Sequence, residues 1–336
     1  MFSRYRADLG AAMRRQVSSD RVGVYDLLRY YLGWVDKDGN PASATEGKAL
    51  RPTLCLFACE ATGGSVGQAL PAAVALELIH SFSLIHDDIQ DRDETRHHRS
   101  TLWAEWGIPK ALVAGNVLRI VADMSLNGLG ERHMDPEHML GVVNLLTEAY
   151  LEMIEGQYLD ISYEGRRDIG MGDYLNMIAR KTGALIRCSL NLGAMIGTRH
   201  TATVEAFRDF GRSLGYVFQI QDDVLGVWGD EESTGKPVGA DIIRKKNSLP
   251  VVYAMSVASG SDKQLLDEAY RRHELNDEDV SMALEVMDKV HTKEYAHRIA
   301  VDHCDAAMRA LSAVELEPEF RQQAEELIHF LLVRQH

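Results

Sequence analysis

The chain has 336 residues and a mass of 37.5 kDa, and 46% of the residues are hydrophobic while 26% are charged. These proportions are typical of a folded globular protein and exclude disordered, collagen-like and coiled-coil proteins. The formal net charge of −14 at pH 7 repels phosphate polymers and acidic membrane surfaces, so we expect no nucleic-acid partner.

The first predicted element is a helix within residues 1–20. This segment contains Asp8 among its arginines and lacks the apolar stretch of a secretory signal, with a transit peptide as the alternative. The most apolar stretch, residues 69–85, contains Glu77 and His80, so we expect no stable membrane anchor. The cysteines have no CxxC spacing and lie among apolar residues, which favours free thiols and a cytoplasmic location.

The remaining pattern is helical. No proline lies between Pro136 and Pro237, and apolar residues recur there at helical spacing from Leu140 to Tyr158. Segments rich in turn-forming residues predict the helix boundaries, and these segments are residues 38–41, 63–67, 135–136, 165–172, 229–239, 259–262 and 276–279. We therefore expect one all-α domain over residues 1–336, a bundle of about ten or more helices with a central active-site cavity.

Two acidic motifs are the main chemical signals. On a helix, Asp87 and Asp91 are one turn apart with Asp88 beside them, and a second pair, Asp222 and Asp223, lies on a later predicted helix. Adjacent carboxylates repel one another unless cations neutralise them, and oxygen ligands suit a hard cation such as Mg²⁺. A solvated acidic helix face is the alternative for one motif alone. Nearby cationic residues suit a diphosphate; they are Lys48, Arg51, Arg96, Arg99, Lys181, Lys236 and Lys246.

In their order along the chain, these segments resemble the trans-isoprenyl diphosphate synthases of the polyprenyl synthetase family. The resemblance covers nearly the whole chain and is carried by residues 47–52, 77–91, 156–157, 181–182, 218–223 and 235–236. It implies an all-α fold, dependence on Mg²⁺ and usually a homodimer. The implied reaction is head-to-tail condensation of isopentenyl diphosphate with dimethylallyl, geranyl or farnesyl diphosphate.

The resemblance also implies roles for individual residues. Mg²⁺ would be bound by Asp87, Asp91 and Asp222, with Asp88 and Asp223 as partial or indirect ligands. The allylic diphosphate would be held by Arg96, Lys181, Lys236 and Lys246. Isopentenyl diphosphate would be bound by Gly47, Lys48, Arg51, His80 and His97. Thr182 and Gln219 would line the site where the carbocation forms.

Four positions depart from the family pattern: Ala49 and His97 replace arginines, while Asn116 and Gly226 replace aspartates. A neutral imidazole is a weaker partner for an anion than a guanidinium, so we expect Arg99 or a protonated His97 to take over that contact. Because Asp222 is the expected direct ligand, activity should survive the glycine at position 226.

Phe82 is the candidate determinant of product length. It lies five residues before Asp87, about 7.5 Å along a helix axis, where members of the family stop the growing chain. The small Ser83 beside it leaves room, which favours a C15 to C20 product with geranylgeranyl diphosphate ahead of farnesyl diphosphate. Ordinary core packing is the alternative role for Phe82.

Three other functions fit parts of the sequence. A catalytically silent or regulatory subunit of a prenyl diphosphate synthase would explain the departures, although every expected metal ligand is present. A class I terpene cyclase would leave Lys48, Arg51 and His80 without a role. An all-α metal phosphohydrolase would use histidines near the first motif but would leave the second acidic pair unexplained.

Overall fold

The computed structural model describes residues 1–18, 22–42, 49–97, 99–131, 134–229, 237–272 and 274–333. It confirms the predicted all-α class. In chain order the helices are α1 (Phe2–Gln16), α2 (Val24–Tyr31), α3 (Leu50–Ala61), α4 (Val66–Gln90), α5 (Leu102–Trp106), α6 (Ile108–Glu131), α7 (Pro136–Tyr163), α8 (Met171–Ile178), α9 (Ala184–Gly197), α10 (Thr201–Trp228), α11 (Ala240–Ile243), α12 (Leu249–Val257), α13 (Gly260–Arg271), α14 (Asp277–Lys289), α15 (Thr292–Ser312) and α16 (Pro318–Val333).

The turn-rich segments 63–67, 135–136, 165–172, 259–262 and 276–279 coincide with helix boundaries, whereas residues 38–41 lie between α2 and α3 and most of residues 229–239 lie outside the described part of the chain. Side chains cap several of the helices. At the start of α4, the backbone N–H of Ser65 donates a 2.8 Å hydrogen bond to the side chain of Gln68. At the start of α14, the side chain of Asn276 accepts a 2.9 Å hydrogen bond from the backbone of Asp279. These bonds satisfy N–H groups that the helices leave unpaired.

Two elements were not predicted. Strands β1 (Thr95–Arg96) and β2 (Arg99–Ser100) form a short antiparallel hairpin after the first acidic motif. A π-helical turn, Ala179–Gly183, joins α8 to α9 where the sequence predicts an unbroken helix. Both elements carry residues of the candidate site.

The chain divides into two compact units, residues 1–150 with 188–207 and residues 151–187 with 208–336. The changes from one unit to the other fall inside α7, α9 and α10. The single domain over residues 1–336 stays a prediction.

In the first unit, α4 is the central helix and packs most extensively against α6. The two helices run antiparallel, since Ser125 near the end of α6 donates a 3.0 Å hydrogen bond to the carbonyl of Pro71 near the start of α4. Although α4 is long and apolar enough to cross a bilayer, 72% of its apolar window is buried inside the protein. It is therefore a core helix, and the four cysteines are also buried as free thiols.

The second unit contains two apolar clusters. One includes Tyr174 of α8, Ile220 of α10 and Leu249 of α12, all of which are fully or almost fully buried. The other includes Val227 at the end of α10 and Met287 of α14. Both clusters pack against α10, and they fix the position of the second acidic motif on that helix.

Candidate active site

The first acidic motif occupies the last turn of α4 and contains one buried carboxylate. Asp88 is only 2% exposed, and its Oδ1 accepts a 2.7 Å hydrogen bond from Nε of Arg96 in β1. Burial raises the pKa of Asp88 to about 6, while the positive charge of Arg96 opposes that shift. Asp87 is half-buried and Asp91 is exposed, so two carboxylates lie at the outer end of the helix.

A half-buried polar cluster, which includes Glu77 and His80, lies further back on the same stripe of α4. Burial, followed by the positive charges of Arg51 and Arg96, lowers the pKa of His80 well below its usual range, so its ring is uncharged at neutral pH. The Oε2 atom of Glu77 is buried without a hydrogen-bond partner among the residues that the structure describes. Burial raises the pKa of Glu77 to about 6, and Arg51 opposes the shift. Arg51 and His80 therefore occupy a desolvated environment in which electrostatic interactions with a bound anion would be strong.

We expect the substitution Glu77→Gln to change the pH dependence of stability. The pKa of Glu77 is about 6 in the folded protein, against about 4.3 in an unfolded chain. The folded state therefore binds this proton more tightly, and that advantage is complete below about pH 4 and lost as the pH rises through about 6. Relative to the wild type, the variant should gain about 2 kcal/mol of unfolding free energy over this interval. Denaturant unfolding from pH 4 to 8 measures the difference.

The matched control for this experiment is Glu137→Gln, which removes an exposed glutamate from the first turn of α7. A difference between Glu77→Gln and the wild type that stays constant with pH would contradict the raised pKa.

Arg99, in β2, contacts the segment around the end of α2. Its two terminal nitrogens donate 2.9 Å hydrogen bonds to the backbone carbonyls of Tyr30 and Val35, and its guanidinium lies 4.2 Å from the centre of the Tyr30 ring. Arg99 thus fastens the hairpin to the segment around the end of α2. His97, the other residue expected to take over the contact of the family's arginine, lies at the exposed turn of the hairpin, and its role stays a prediction.

The second acidic motif, in the other unit, also contains one buried and one exposed aspartate. Asp223 is 6% exposed, and its Oδ2 accepts hydrogen bonds from the hydroxyl of Tyr174 (2.6 Å) and the backbone N–H of Leu249 (2.7 Å). Its Oδ1 accepts a third, of 2.7 Å, from the side-chain amide of Gln219. Burial raises the pKa of Asp223 to about 7, although these hydrogen bonds oppose the shift. Asp222 is exposed.

Gln219 connects this network to the π-helical turn. Its Oε1 accepts a 2.5 Å hydrogen bond from the hydroxyl of Thr182, and the adjacent Lys181 forms an ion pair with Asp160 of α7. A side chain at Gly156 would overlap with the backbone of Lys181, so this glycine allows α7 to approach the turn. Single π-helical turns inside helices frequently mark functional sites.

Gly226 occupies the position of the family's third aspartate for a steric reason. A Cβ atom at this position would overlap with the carboxylate of Asp241 in α11. Asp241 therefore fills the space that a side chain at position 226 would need. The backbone N–H of Lys246, a predicted diphosphate ligand, donates a 3.0 Å hydrogen bond to the carbonyl of the same aspartate.

We expect Gly226→Asp to destabilise the protein because the new carboxylate would meet that of Asp241. Overpacking of this kind costs about 1–3 kcal/mol, and repulsion between like charges adds to it. Denaturant unfolding measures the loss, and Gly226→Ala isolates the steric part. Adding Asp241→Ala to Gly226→Asp should restore stability; a doubly substituted protein as unstable as Gly226→Asp would contradict the explanation.

Two residues of this half of the site were missed by sequence reasoning. Tyr174 reads as an ordinary apolar position of α8 and gives no separate signal. Asp241 could have been found, because it is an acidic residue between two expected diphosphate ligands, Lys236 and Lys246.

Of the remaining predicted residues, two lie on described helices and three lie outside the described part of the chain. Phe82 is 9% exposed and packs edge-on against His86, with ring centres 4.8 Å apart. Asn116 is exposed on α6, and nothing in the structure explains why it replaces an aspartate. Gly47, Lys48 and Lys236 lie outside the described residues.

Carboxylate oxygens are the donors available to a metal ion. Within the described ranges, no three Asp, Glu, His or Cys side chains converge on a ready-made metal site. This arrangement fits Mg²⁺, which is usually bound by one or two carboxylates and completes its octahedron with water and substrate phosphates.

Comparisons with known proteins agree with this chemistry. A family model described as polyprenyl synthetase matches residues 34–287. The chain is 35% identical to geranylgeranyl diphosphate synthase of Mycobacterium tuberculosis, covering 95% of this chain and 90% of that protein. It is 33% identical to (2E,6E)-farnesyl diphosphate synthase of Mycobacterium bovis, covering 92% and 86%. The crystal structure of a polyprenyl synthetase from Streptomyces coelicolor superposes with a TM-score of 0.91 at 33% identity, covering 99% of this chain and 98% of that one.

Proposed function

Because the chain belongs to the polyprenyl synthetase family, we propose that it condenses isopentenyl diphosphate with an allylic diphosphate to give an all-trans C15 to C20 product, with C20 favoured. The chain has the isoprenoid synthase fold and is a short-chain trans-isoprenyl diphosphate synthase, a prenyltransferase of isoprenoid biosynthesis. The relatives include both C15 and C20 synthases and therefore do not favour either product. The preference for C20 is based on Phe82 and the small Ser83 beside it.

One observation carries the catalytic assignment. In each adjacent acidic pair, one carboxylate is buried and held by protein donors, while its neighbour lies further out. Asp88 and Asp223 are the buried members, and Asp87 and Asp222 are the outer members. A buried aspartate held in this way fixes the last helical turns, so that the outer carboxylates are positioned before a ligand arrives.

The family uses a divalent metal with diphosphate substrates. We assign Mg²⁺ to this chain, with Asp87, Asp91 and Asp222 as direct ligands and the buried Asp88 and Asp223 as indirect ones. When bound, the metal neutralises the charge that develops on the leaving diphosphate.

The remaining residues perform the binding steps. In the first unit, Arg96 binds the allylic diphosphate and Arg51, His80 and His97 bind isopentenyl diphosphate, together with Gly47 and Lys48. In the second unit, Lys181, Lys236 and Lys246 bind the allylic diphosphate, and these cationic groups stabilise it as the allylic C–O bond ionises. Thr182 and Gln219, which hold each other by a hydrogen bond, line the site where the carbocation forms. The double bond of isopentenyl diphosphate then attacks, and the released diphosphate takes the proton that is lost.

We also propose a cytoplasmic homodimer. The helix α6 exposes five large apolar side chains, each at least 39% exposed, and these are Ile108, Leu112, Val113, Ile120 and Met124. Contiguous exposed apolar side chains are typical of protein interfaces, and a symmetric homodimer is the commonest assembly.

The reaction class is tested by the rate of diphosphate release. The purified chain is given each of the three allylic diphosphates, with and without isopentenyl diphosphate. We expect release only when both substrates are present. Release from an allylic substrate alone would instead indicate a terpene cyclase, and no release under any condition would indicate a silent subunit.

A further inference from the structure

The contact between His86 and Gly115 identifies a common level on α4 and α6. A Cβ atom at Gly115 would lie 2.5 Å from Nε2 of His86, so the imidazole packs directly on the backbone of α6. The two helices are antiparallel, so a step of one turn away from the acidic motif runs backwards along α4 and forwards along α6. That step leads from His86 to Phe82 on α4 and from Gly115 to Arg119 on α6. Phe82 and Arg119 therefore lie at the same depth below the first acidic motif.

Arg119 has surroundings that are unusual for a charged residue. Its side chain is only 13% exposed, and its Nη1 lies 2.6 Å from Oδ1 of Asp123. Its guanidinium carbon is 3.9 Å from the centre of the Tyr150 ring on α7. The Nε atom is buried and has no hydrogen-bond acceptor within the part of the chain that the structure describes. A cation with an unfilled buried donor is costly to place against hydrocarbon.

On the basis of the proposed function, we propose that Arg119 is a specificity-determining residue that limits the length of the prenyl product. A tail that grows past the first acidic motif reaches the ring of Phe82 on one helix and the guanidinium of Arg119 on the next. Phe82 opposes further growth by its volume. Arg119 opposes it by its charge, because hydrocarbon packed against the guanidinium would exclude the remaining water from it.

The two contributions predict different responses to substitution. Arg119→Leu removes the charge and leaves a shorter but still bulky apolar side chain, so the ratio of longer products to the wild-type product should rise about tenfold, which corresponds to 1.4 kcal/mol. Arg119→Lys keeps the charge and should retain the wild-type product. Phe82→Ala should also lengthen the product, and combining it with Arg119→Leu should lengthen it beyond either single variant.

The experiment incubates each purified variant with isopentenyl diphosphate, Mg²⁺ and geranyl or farnesyl diphosphate, and measures product lengths by mass spectrometry. Arg199→Leu is the matched control, because it removes an arginine that is 65% exposed and pairs with Asp135 at 3.5 Å. Arg119→Gln is a second neutral variant that retains a hydrogen-bonding group, so the test can still be made if Arg119→Leu does not fold.

The outcomes separate this inference from the proposed function. Longer products from either neutral variant, with unchanged products from Arg119→Lys and Arg199→Leu, would support the role of Arg119. A wild type that elongates substrate normally while folded neutral variants give the same product lengths would overturn that role alone. A wild type that elongates no allylic diphosphate would overturn both.

Discussion

Asp222→Ala should lower kcat/KM for prenyl transfer about a thousandfold and leave the free energy of unfolding almost unchanged. Asp222 is exposed on α10, so removal of its side chain disturbs little packing. It does remove a carboxylate that we assign to the metal, and loss of one such group costs several kcal/mol of transition-state stabilisation. Steady-state kinetics at saturating Mg²⁺, together with denaturant unfolding of the metal-free protein, measure both effects.

Asp222→Asn is the matched control because it preserves the size of the side chain and removes only its charge. We expect it to lose nearly as much activity as Asp222→Ala. Full turnover by either variant would rule out Asp222 as a metal ligand.

Asp223→Ala should, in contrast, destabilise the protein, with a loss of about 3–4 kcal/mol in the free energy of unfolding. The substitution removes the acceptor for Tyr174, for the backbone of Leu249 and for Gln219. Leaving buried donors without an acceptor costs about 1–3 kcal/mol each, and these costs do not add fully. Activity should also fall, because Gln219 would lose the contact that orients it.

Asp223→Asn separates the contributions to this loss. It retains one acceptor oxygen, so it should be less destabilised than Asp223→Ala. Tyr174→Phe removes one of the donors and should be the mildest of the three changes. An Asp223→Ala protein as stable as the wild type would contradict the positioning role, even if its activity were low.

The different expectations for the stability of the two neighbouring variants show how far the sequence alone could predict the site. Helical spacing and the run of apolar residues place both acidic motifs correctly on helices. The sequence does not indicate which member of each pair is buried, because that depends on donors from other secondary-structure elements. For Asp88 the donor is Arg96, eight residues later. For Asp223 it is Tyr174, forty-nine residues earlier.

The π-helical turn also illustrates why local patterns were insufficient. Residues 179–183 have ordinary helical neighbours, and the sequence therefore predicts a continuous helix. The turn lies where the side-chain-free position of Gly156 brings α7 against the backbone of Lys181. Because this contact joins residues distant in sequence, hydrophobic periodicity could not identify it.

Arg119 was missed for a related reason. A charged residue in a helix is ordinarily assigned to the solvent-facing side, and the alternation of polar and apolar residues in α6 gives no warning. Its burial results from packing against Tyr150 of α7 and pairing with Asp123. Only the antiparallel register of α4 and α6 reveals that it shares a level with Phe82.

Prenyltransferase activity is tested most directly by the products that the purified chain forms without any partner protein. The chain should be incubated with isopentenyl diphosphate and, separately, with dimethylallyl, geranyl and farnesyl diphosphates, with and without Mg²⁺, and the products identified by mass. We predict a C15 to C20 prenyl diphosphate, mainly C20, that forms only when Mg²⁺ is present. Failure to elongate any of the three allylic diphosphates in the presence of Mg²⁺ would contradict the assignment of this chain as an active prenyltransferase.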